Sequence, residues 1–333
     1  MSRLQPNAAM APEHIRPQLS VIVIIYNMER AAKRTLYSLC TDYQRDVQAA
    51  DYEVIVMDNG SDVPMDEGFF AHLAGNFRYE YLADAPPSPV KAINRGFDLA
   101  RGDMVAVMID GARMVTPGIV AATISAGRAY TSPVVTTVGW LLGHEIQSRA
   151  IAKGVYDEQV EDQLLASIRW PEDGYRLYDI SVVMGSNAGA WFGRMMETNY
   201  LALRTADWAR IGYADERFDF PGGGLLSFDM YKEAVELKGS TFVMLLDDAT
   251  FHQIHGGIAS NSTHDDLLTN LRKWRKQYIA IRGQDFETPT RRPLLWGQVR
   301  QNLLPHLSEQ LQIAMANNFQ CPYTWYWSEY SGE

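Results

Sequence analysis

Met104-Val105-Ala106-Val107-Met108-Ile109-Asp110-Gly111-Ala112-Arg113 is the stretch whose reading decides the fold. Its first six residues are apolar without alternation, the pattern of a strand buried on both faces of a sheet. The run stops at a carboxylate followed by glycine. Two similar runs lie upstream. Leu19-Ser20-Val21-Ile22-Val23-Ile24-Ile25 stops at Tyr26-Asn27, and Tyr52-Glu53-Val54-Ile55-Val56-Met57 stops at Asp58-Asn59-Gly60-Ser61. Phe77 to Leu82 alternates and reads as a further strand. Helices are expected over Met28 to Cys40 and from the Pro86-Pro87-Ser88-Pro89 break to about Ala100. In the second of these, Ser88 would be the cap and Pro89 the first helical residue. Strands alternating with helices in this way predict an α/β fold with a mostly parallel central sheet flanked by helices on both faces.

The second half has weaker signals. Residues 157–180 read as a mobile acidic and aromatic segment. Strands are expected at Val182-Val183-Met184, within Trp191 to Leu203, and over Thr241 to Leu246. Thr205 is expected to cap a short helix ending near Gly212, and Ser227 a helix through Lys238 stopped by Gly239. From Asp265, Leu267, Leu271, Trp274, Tyr278 and Ile281 have helical spacing. A last helix around Trp296 to Met315 precedes an aromatic tail of Tyr323, Trp325, Tyr326, Trp327 and Tyr330.

The chain has 333 residues, 47% of them hydrophobic, enough for one large domain. Its net charge of -10 argues against a general nucleic-acid partner. Cys40 and Cys321 lack metal-ligand spacing and read as reduced thiols, in keeping with a cytoplasmic location. No apolar run approaches the ~18 residues that span a bilayer, and residues 1–18 read as a flexible tail. Between Thr269 and Arg300, eight Lys or Arg face two acids. Such a stretch reads first as the solvated face of a surface helix, and it also suits peripheral contact with anionic lipid or a lipid-diphosphate acceptor. The aromatic tail is expected to close a groove or a homodimer contact.

In an open parallel sheet, ligands bind beyond the carboxyl ends of the strands. Tyr26, Asp58 and Asp110 would lie together on that edge. Tyr26 could stack on a nucleotide base, Asp58 accept from the ring N–H, and Asp110 bind a metal on a diphosphate. Each also has an ordinary reading, as packing, a turn or a degraded motif. Lys91 in the first turn of its helix opposes the helix dipole, which a bound anion would resolve. Arg113 could meet phosphate, or pair with an acid. In Phe251-His252-Gln253-Ile254-His255-Gly256-Gly257, spacing on an extended chain would put the two histidines on opposite sides, so joint chelation is not expected. The glycines beyond His255 permit close backbone approach. A glycine-rich phosphate loop after the first strand is absent, which excludes a dehydrogenase and disfavours a nucleotidyltransferase.

These pieces together resemble the family 2 glycosyltransferases of the GT-A fold. The resemblance rests on Ser20 to Asn27, Glu53 to Ser61, Ala92-Ile93-Asn94-Arg95-Gly96, Ala100 to Asp103, Ile109-Asp110 with Pro117-Gly118, and Trp208 to Gly212 leading to Asp215-Glu216-Arg217-Phe218. It covers roughly residues 19–260. It implies a Rossmann-like nucleotide-sugar half over 19–118, an acceptor-side half over 119–262 and a C-terminal helical extension over 263–333. It further implies inverting transfer from a nucleotide-sugar donor to a glycan or lipid-linked acceptor, in surface polysaccharide biosynthesis. Tyr26, Asp58, Lys91, Asn94, Asp110 and Arg113 would serve the donor, and Glu197 and Asn199 the acceptor. Asp110 would hold Mn2+ or Mg2+, with His255 returning to the metal and His252 as the second choice. Two departures stand out. The acid-any-acid metal motif has Ala112 in its second acidic place. The Glu-Asp pair expected after Gly222-Gly223-Gly224 reads Leu225-Leu226-Ser227-Phe228-Asp229, leaving Asp229, then Asp219 and Glu216, for the general base. A GT-A domain that binds sugar nucleotide or glycan as a scaffold, without transfer, is the alternative.

Overall fold

Strands β1 (Leu19–Ile25), β2 (Tyr52–Asp58), β3 (Phe77–Tyr81) and β4 (Met104–Met108) form where the apolar runs put them. The computed structural model describes residues 16–256 and 264–322, with backbone only for 264–268. The first 15 residues, Gly257, the side chain of Leu267 and the aromatic tail from Tyr323 therefore lie outside the described residues. β5 (Arg113–Val115), β6 (Pro133–Leu142), β7 (Ser181–Val183), β8 (Leu201–Arg204), β9 (Thr241–His252) and β10 (Leu294–Trp296) complete a ten-stranded sheet. Its path is β10-β9-β6-β8-β4-β1-β2-β3, with β5 paired to β9 and β7 to β6.

The sheet is mixed. β1 to β4 pair in parallel, as do β6 with β9 and β9 with β10. β8 runs antiparallel to both β4 and β6. Two reversals restore the direction, so β6 and β9 point the same way as β4. The carboxyl ends of β1, β2, β4 and β9 thus share one edge.

Every residue of β1, β2 and β4 is buried. Ile22 and Ile24 join the apolar cluster on one face of the sheet, and Val21, Val23 and Ile25 the cluster on the other. This period of two is what a strand buried on both sides requires. Each such side chain contributes about 1.5–3 kcal/mol of transfer free energy. The helices α1 (Glu29–Ser38), α2 (Glu67–Phe70), α3 (Val90–Leu99), α4 (Ile119–Ala129), α5 (Gln147–Ala152), α6 (Glu158–Ser167), α7 (Thr205–Ile211), α8 (Leu226–Val235), α9 (His264–Arg282) and α10 (Leu304–Ala316) cover the sheet. Among the described residues, no helix is long and apolar enough to cross a membrane. Both cysteines are buried free thiols.

Several local expectations need correction. Residues 157–180 are not a loose segment: they form α6 and a 3-10 helix, Gly174–Ile180, that buries Tyr175, Leu177 and Tyr178. The helical span of α3 begins at Val90, whose N–H donates to the Ser88 hydroxyl at 3.4 Å as a cap would have it, while that hydroxyl donates to the Phe218 carbonyl. Thr205 and Ser227 lie inside α7 and α8, and their hydroxyls donate to the Gly102 carbonyl and to Glu197. For these two a long-range acceptor outcompetes the local cap. The segment after residue 263 is not wholly helical. It supplies β10 to the sheet, and Tyr278, Phe286 and Leu303 join the core shared with β6 and β9.

Candidate active site

Asp110 stands two residues beyond β4, where the chain turns back into β5. The Ala112 N–H donates to Asp110 Oδ1 at 3.0 Å and shapes that turn. β5 then pairs antiparallel with the end of β9, placing Arg113 opposite His252. Arg113, nearly buried, donates from Nε to Asp110 Oδ2 at 3.2 Å. It also donates from a terminal nitrogen to the Met184 sulfur at 3.8 Å.

His252 is the last residue of β9. The Gln253 N–H donates to the Ala112 carbonyl at 2.9 Å, just past the end of β9. Both histidines come to the same acid. His252 Nε2 lies 3.3 Å from Asp110 Oδ2, His255 Nε2 lies 3.7 Å from Asp110 Oδ1, and the two Nε2 atoms are 3.1 Å apart. One ligand atom from each of Asp110, His252 and His255 falls within 4.8 Å of the others. The expectation that the histidines face opposite sides holds for a strand running on through His255, and β9 ends at His252.

The histidine tautomer follows from its neighbours. Gln147 Nε2 donates to the carbonyls of Leu142 and His252, so its Oε1 faces His252 Nδ1 as an acceptor, 2.6 Å away. Nδ1 must carry the proton, and the lone pair on Nε2 then points at the Asp110 carboxylate. Two electron-rich atoms at 3.3 Å call for a positive partner, which a cation or an N–H of His255, 3.1 Å from His252 Nε2, can supply. Burial pushes the His252 imidazole down to about 4, against the opposing pull of Asp110. Burial would raise the Asp110 carboxyl, yet His255, His252 and Arg113 outweigh it and hold the group well below the usual carboxylate range. A carboxylate and a neutral imidazole are the ligand forms a divalent metal takes, so the residues fit one. Two nitrogen donors suit manganese better than magnesium, which prefers an all-oxygen shell.

Glu161 on α6 anchors the same corner. It is fully buried and accepts from the Ile254 N–H at 2.6 Å, the Tyr156 hydroxyl at 3.0 Å, Arg30 at 3.0 Å and Arg34 at 3.2 Å. Ile254 sits between the two histidines. Gln147 and Glu161 thus position this corner, and neither carries a motif of its own. For Glu161 the sequence offers only an acidic segment, whose composition suggests a loose loop.

The nucleotide side is built differently. Tyr26 is half exposed at the end of β1. Asn27 follows with φ 48°, a left-handed conformation that Asn tolerates, and it exchanges hydrogen bonds with Asp62. Asp58 is fully buried: Oδ1 accepts from the Ser61 N–H at 2.8 Å, and Oδ2 from the Tyr79 hydroxyl at 2.9 Å. It is committed to the loop between β2 and α2. Lys91 is exposed in the first turn of α3. Asn94 is spent on both polar groups of the Ala214 backbone, at 3.0 and 3.2 Å, which ties α3 to the loop after α7.

On the acceptor side, Asp229 is not a free carboxylate. Arg282 donates to both its oxygens, at 2.7 and 2.6 Å. Asp219 is exposed and accepts from Gln277, and Glu216 is exposed. Asn199 is buried. Glu197 is half buried and accepts from the Ser186 hydroxyl at 2.8 Å and the Ser227 hydroxyl at 2.7 Å.

A parallel sheet with Tyr26 and a cation corner on its carboxyl edge is the arrangement of a GT-A glycosyltransferase domain. The family model described as Glycosyl transferase family 2 matches residues 20–110, from β1 to the acid after β4. That match covers β1 to β4 and the acid of the site, and the fold is that of a GT-A glycosyltransferase. Among solved structures it is similar to S. aureus TarS 1-349, at 14% identity and a TM-score of 0.50, over 95% of this chain and 75% of that one. TarS 1-349 in complex with UDP gives 16% identity and a TM-score of 0.49, over 79% of this chain and 65% of that one. The complex with UDP-GlcNAc gives 16% and 0.48, over 79% and 66%. At these identities the likeness speaks to the fold. No curated protein matches the chain in sequence.

Proposed function

We propose that the protein transfers a sugar, with inversion, from a nucleoside-diphosphate donor to a hydroxyl of a glycan or lipid-linked acceptor. The observation that carries this reading is the convergence of Asp110, His252 and His255 at the carboxyl edge of a family 2 domain. A divalent ion there would neutralise the diphosphate as it leaves, the largest charge that develops in the reaction. Asp110 and the lone pair that Gln147 exposes on His252 would hold it, and His255 would close the set. Arg113 keeps Asp110 ionised and oriented. Tyr26 offers a face for a base, and Lys91 at the start of α3 a charge for phosphate. UDP and UDP-GlcNAc, the ligands of the TarS complexes, are tried first. The exposed Lys273 and Lys276 of α9 support contact with an anionic lipid or a lipid-diphosphate acceptor at the cytoplasmic membrane face, in surface polysaccharide synthesis.

A domain that binds donor without transfer is the second reading, and the pairing of Asp229 with Arg282 favours it. Calorimetric titration with UDP and GDP, with and without manganese, separates the two when joined to donor hydrolysis. Manganese should tighten nucleotide binding at least about tenfold in the wild type and not in Asp110→Asn. Hydrolysis of UDP-GlcNAc, UDP-glucose or GDP-mannose should fall about a thousandfold in that variant. Binding without any metal effect, and no hydrolysis of any donor, would establish the scaffold.

A further inference from the structure

We infer that Glu197 is the general base that deprotonates the acceptor hydroxyl, an assignment that rests on the transferase reading above. Inverting transfer needs a carboxylate within hydrogen-bond reach of the attacking oxygen, charged but not locked to a cation. The acids around the first turn of α8 fail that requirement. Asp229 is gripped at both oxygens by Arg282, and Asp215 is held by Arg217 and Arg282. Asp219 accepts from Gln277 on the exposed outer side of the loop.

Glu197 is not locked to a cation: among the described residues its carboxylate partners are two neutral hydroxyls, one on each oxygen, from Ser186 and Ser227. Neutral donors orient a carboxylate while leaving a lone pair on each oxygen for an incoming proton. The Asn187 side chain donates to the Glu197 carbonyl at 3.1 Å and fixes the backbone beneath. Glu197, Ser186, Ser227 and Met184 are all partly open to solvent, so an acceptor can reach them.

Its place in the fold suits the role. Ser186 lies in the 3-10 turn Gly185–Asn187 that directly follows Met184, and Met184 touches Arg113, the partner of Asp110. Ser227 lies in α8 just after the glycine turn, whose Gly222 N–H donates to the Pro87 carbonyl beside the start of α3. Glu197 therefore bridges the wall next to the metal corner and the wall next to the proposed diphosphate site. In the step itself, the acceptor oxygen forms a bond to the anomeric carbon and its proton passes to a Glu197 oxygen. The bond from the anomeric carbon to the phosphate oxygen breaks, and its electron pair leaves with the nucleoside diphosphate.

The test compares wild type, Glu197→Gln and Ser227→Ala in manganese-dependent hydrolysis of UDP-GlcNAc, UDP-glucose and GDP-mannose, with water as acceptor. Glu197→Gln should lower turnover about a hundredfold or more while UDP affinity with manganese stays within about twofold. A base must be deprotonated to act, so wild-type turnover should rise with pH along an acid limb, and Glu197→Gln should lack that limb. Ser227→Ala, which removes one orienting hydroxyl, should keep the limb with a smaller loss. UDP binding doubles as the check that each variant is folded. Wild-type turnover and an intact acid limb in Glu197→Gln would overturn the assignment alone. A wild type that hydrolyses none of the three donors would overturn the transferase reading, and this inference with it.

Discussion

Asp58 closes β2 and Asp110 follows β4, the two strands that flank β1, and the two acids end in opposite states. Asp58 is sealed from solvent, with its oxygens taken by the Ser61 N–H and the Tyr79 hydroxyl. Asp110 is partly open and faces one guanidinium and two imidazoles, one of which turns a lone pair toward it. A carboxylate with both oxygens paired internally serves as scaffolding. A corner that gathers one ligand atom from each of three side chains suits a bound cation. Similar residues at similar places on the edge have been given different tasks by what surrounds them.

The comparison breaks most visibly at Ala112. This residue stands where an acid-any-acid motif would have its second acid, yet its side chain is fully buried and its backbone holds both Asp110 and Gln253. Restoring the acid should therefore harm the protein. Ala112→Asp is expected to cost about 3–5 kcal/mol of stability in chelator, because it buries an unpaired charge beside another carboxylate. Urea unfolding followed by circular dichroism measures this. Wild-type stability together with tighter manganese binding would mean that the corner has room for the family's second acid, and that the histidines are not its replacement.

A smaller effect tests whether the metal corner depends on its supports. Glu161→Gln keeps the shape of the side chain but removes the charge that gathers Arg30, Arg34 and the Ile254 N–H. With the loop between the histidines loosened, manganese affinity should fall about 10- to 100-fold. Calorimetric titration of manganese alone reads this without any donor. An unchanged affinity would show that His252 and His255 hold their places unaided.

The parallel half of the fold was legible because residues buried on both faces leave no choice of pattern. β1, β2 and β4 begin and end within a residue or so of their apolar runs. The site was legible only in part. Asp110 and His255 could be singled out as residues, but the joint placement of His252 and His255 depends on where β9 stops pairing. That stop is fixed by the Gln253 contact with Ala112 and by the Ile254 contact with Glu161, more than 90 positions away. Caps failed for the same reason: Ser227 had a partner in Glu197 that local spacing cannot show. Asp229 was attractive as a base until Arg282, 53 positions later, was seen to claim it.

The smallest expected effect returns to the other half of the opening contrast. Asp58→Asn leaves a side chain of the same shape that can still accept at one oxygen, so either the Ser61 N–H or the Tyr79 hydroxyl loses its charged partner. The cost should be about 1–2 kcal/mol of stability, the range for a hydrogen bond to a charged acceptor. Manganese affinity should not move, since Asp58 takes no part in that corner. UDP affinity should weaken only severalfold, because the loop beside Tyr26 loosens while its own groups remain. Stability unchanged with UDP binding abolished would invert the contrast: Asp58 would then touch the base itself, through a rearrangement that frees it from Ser61 and Tyr79 when nucleotide arrives.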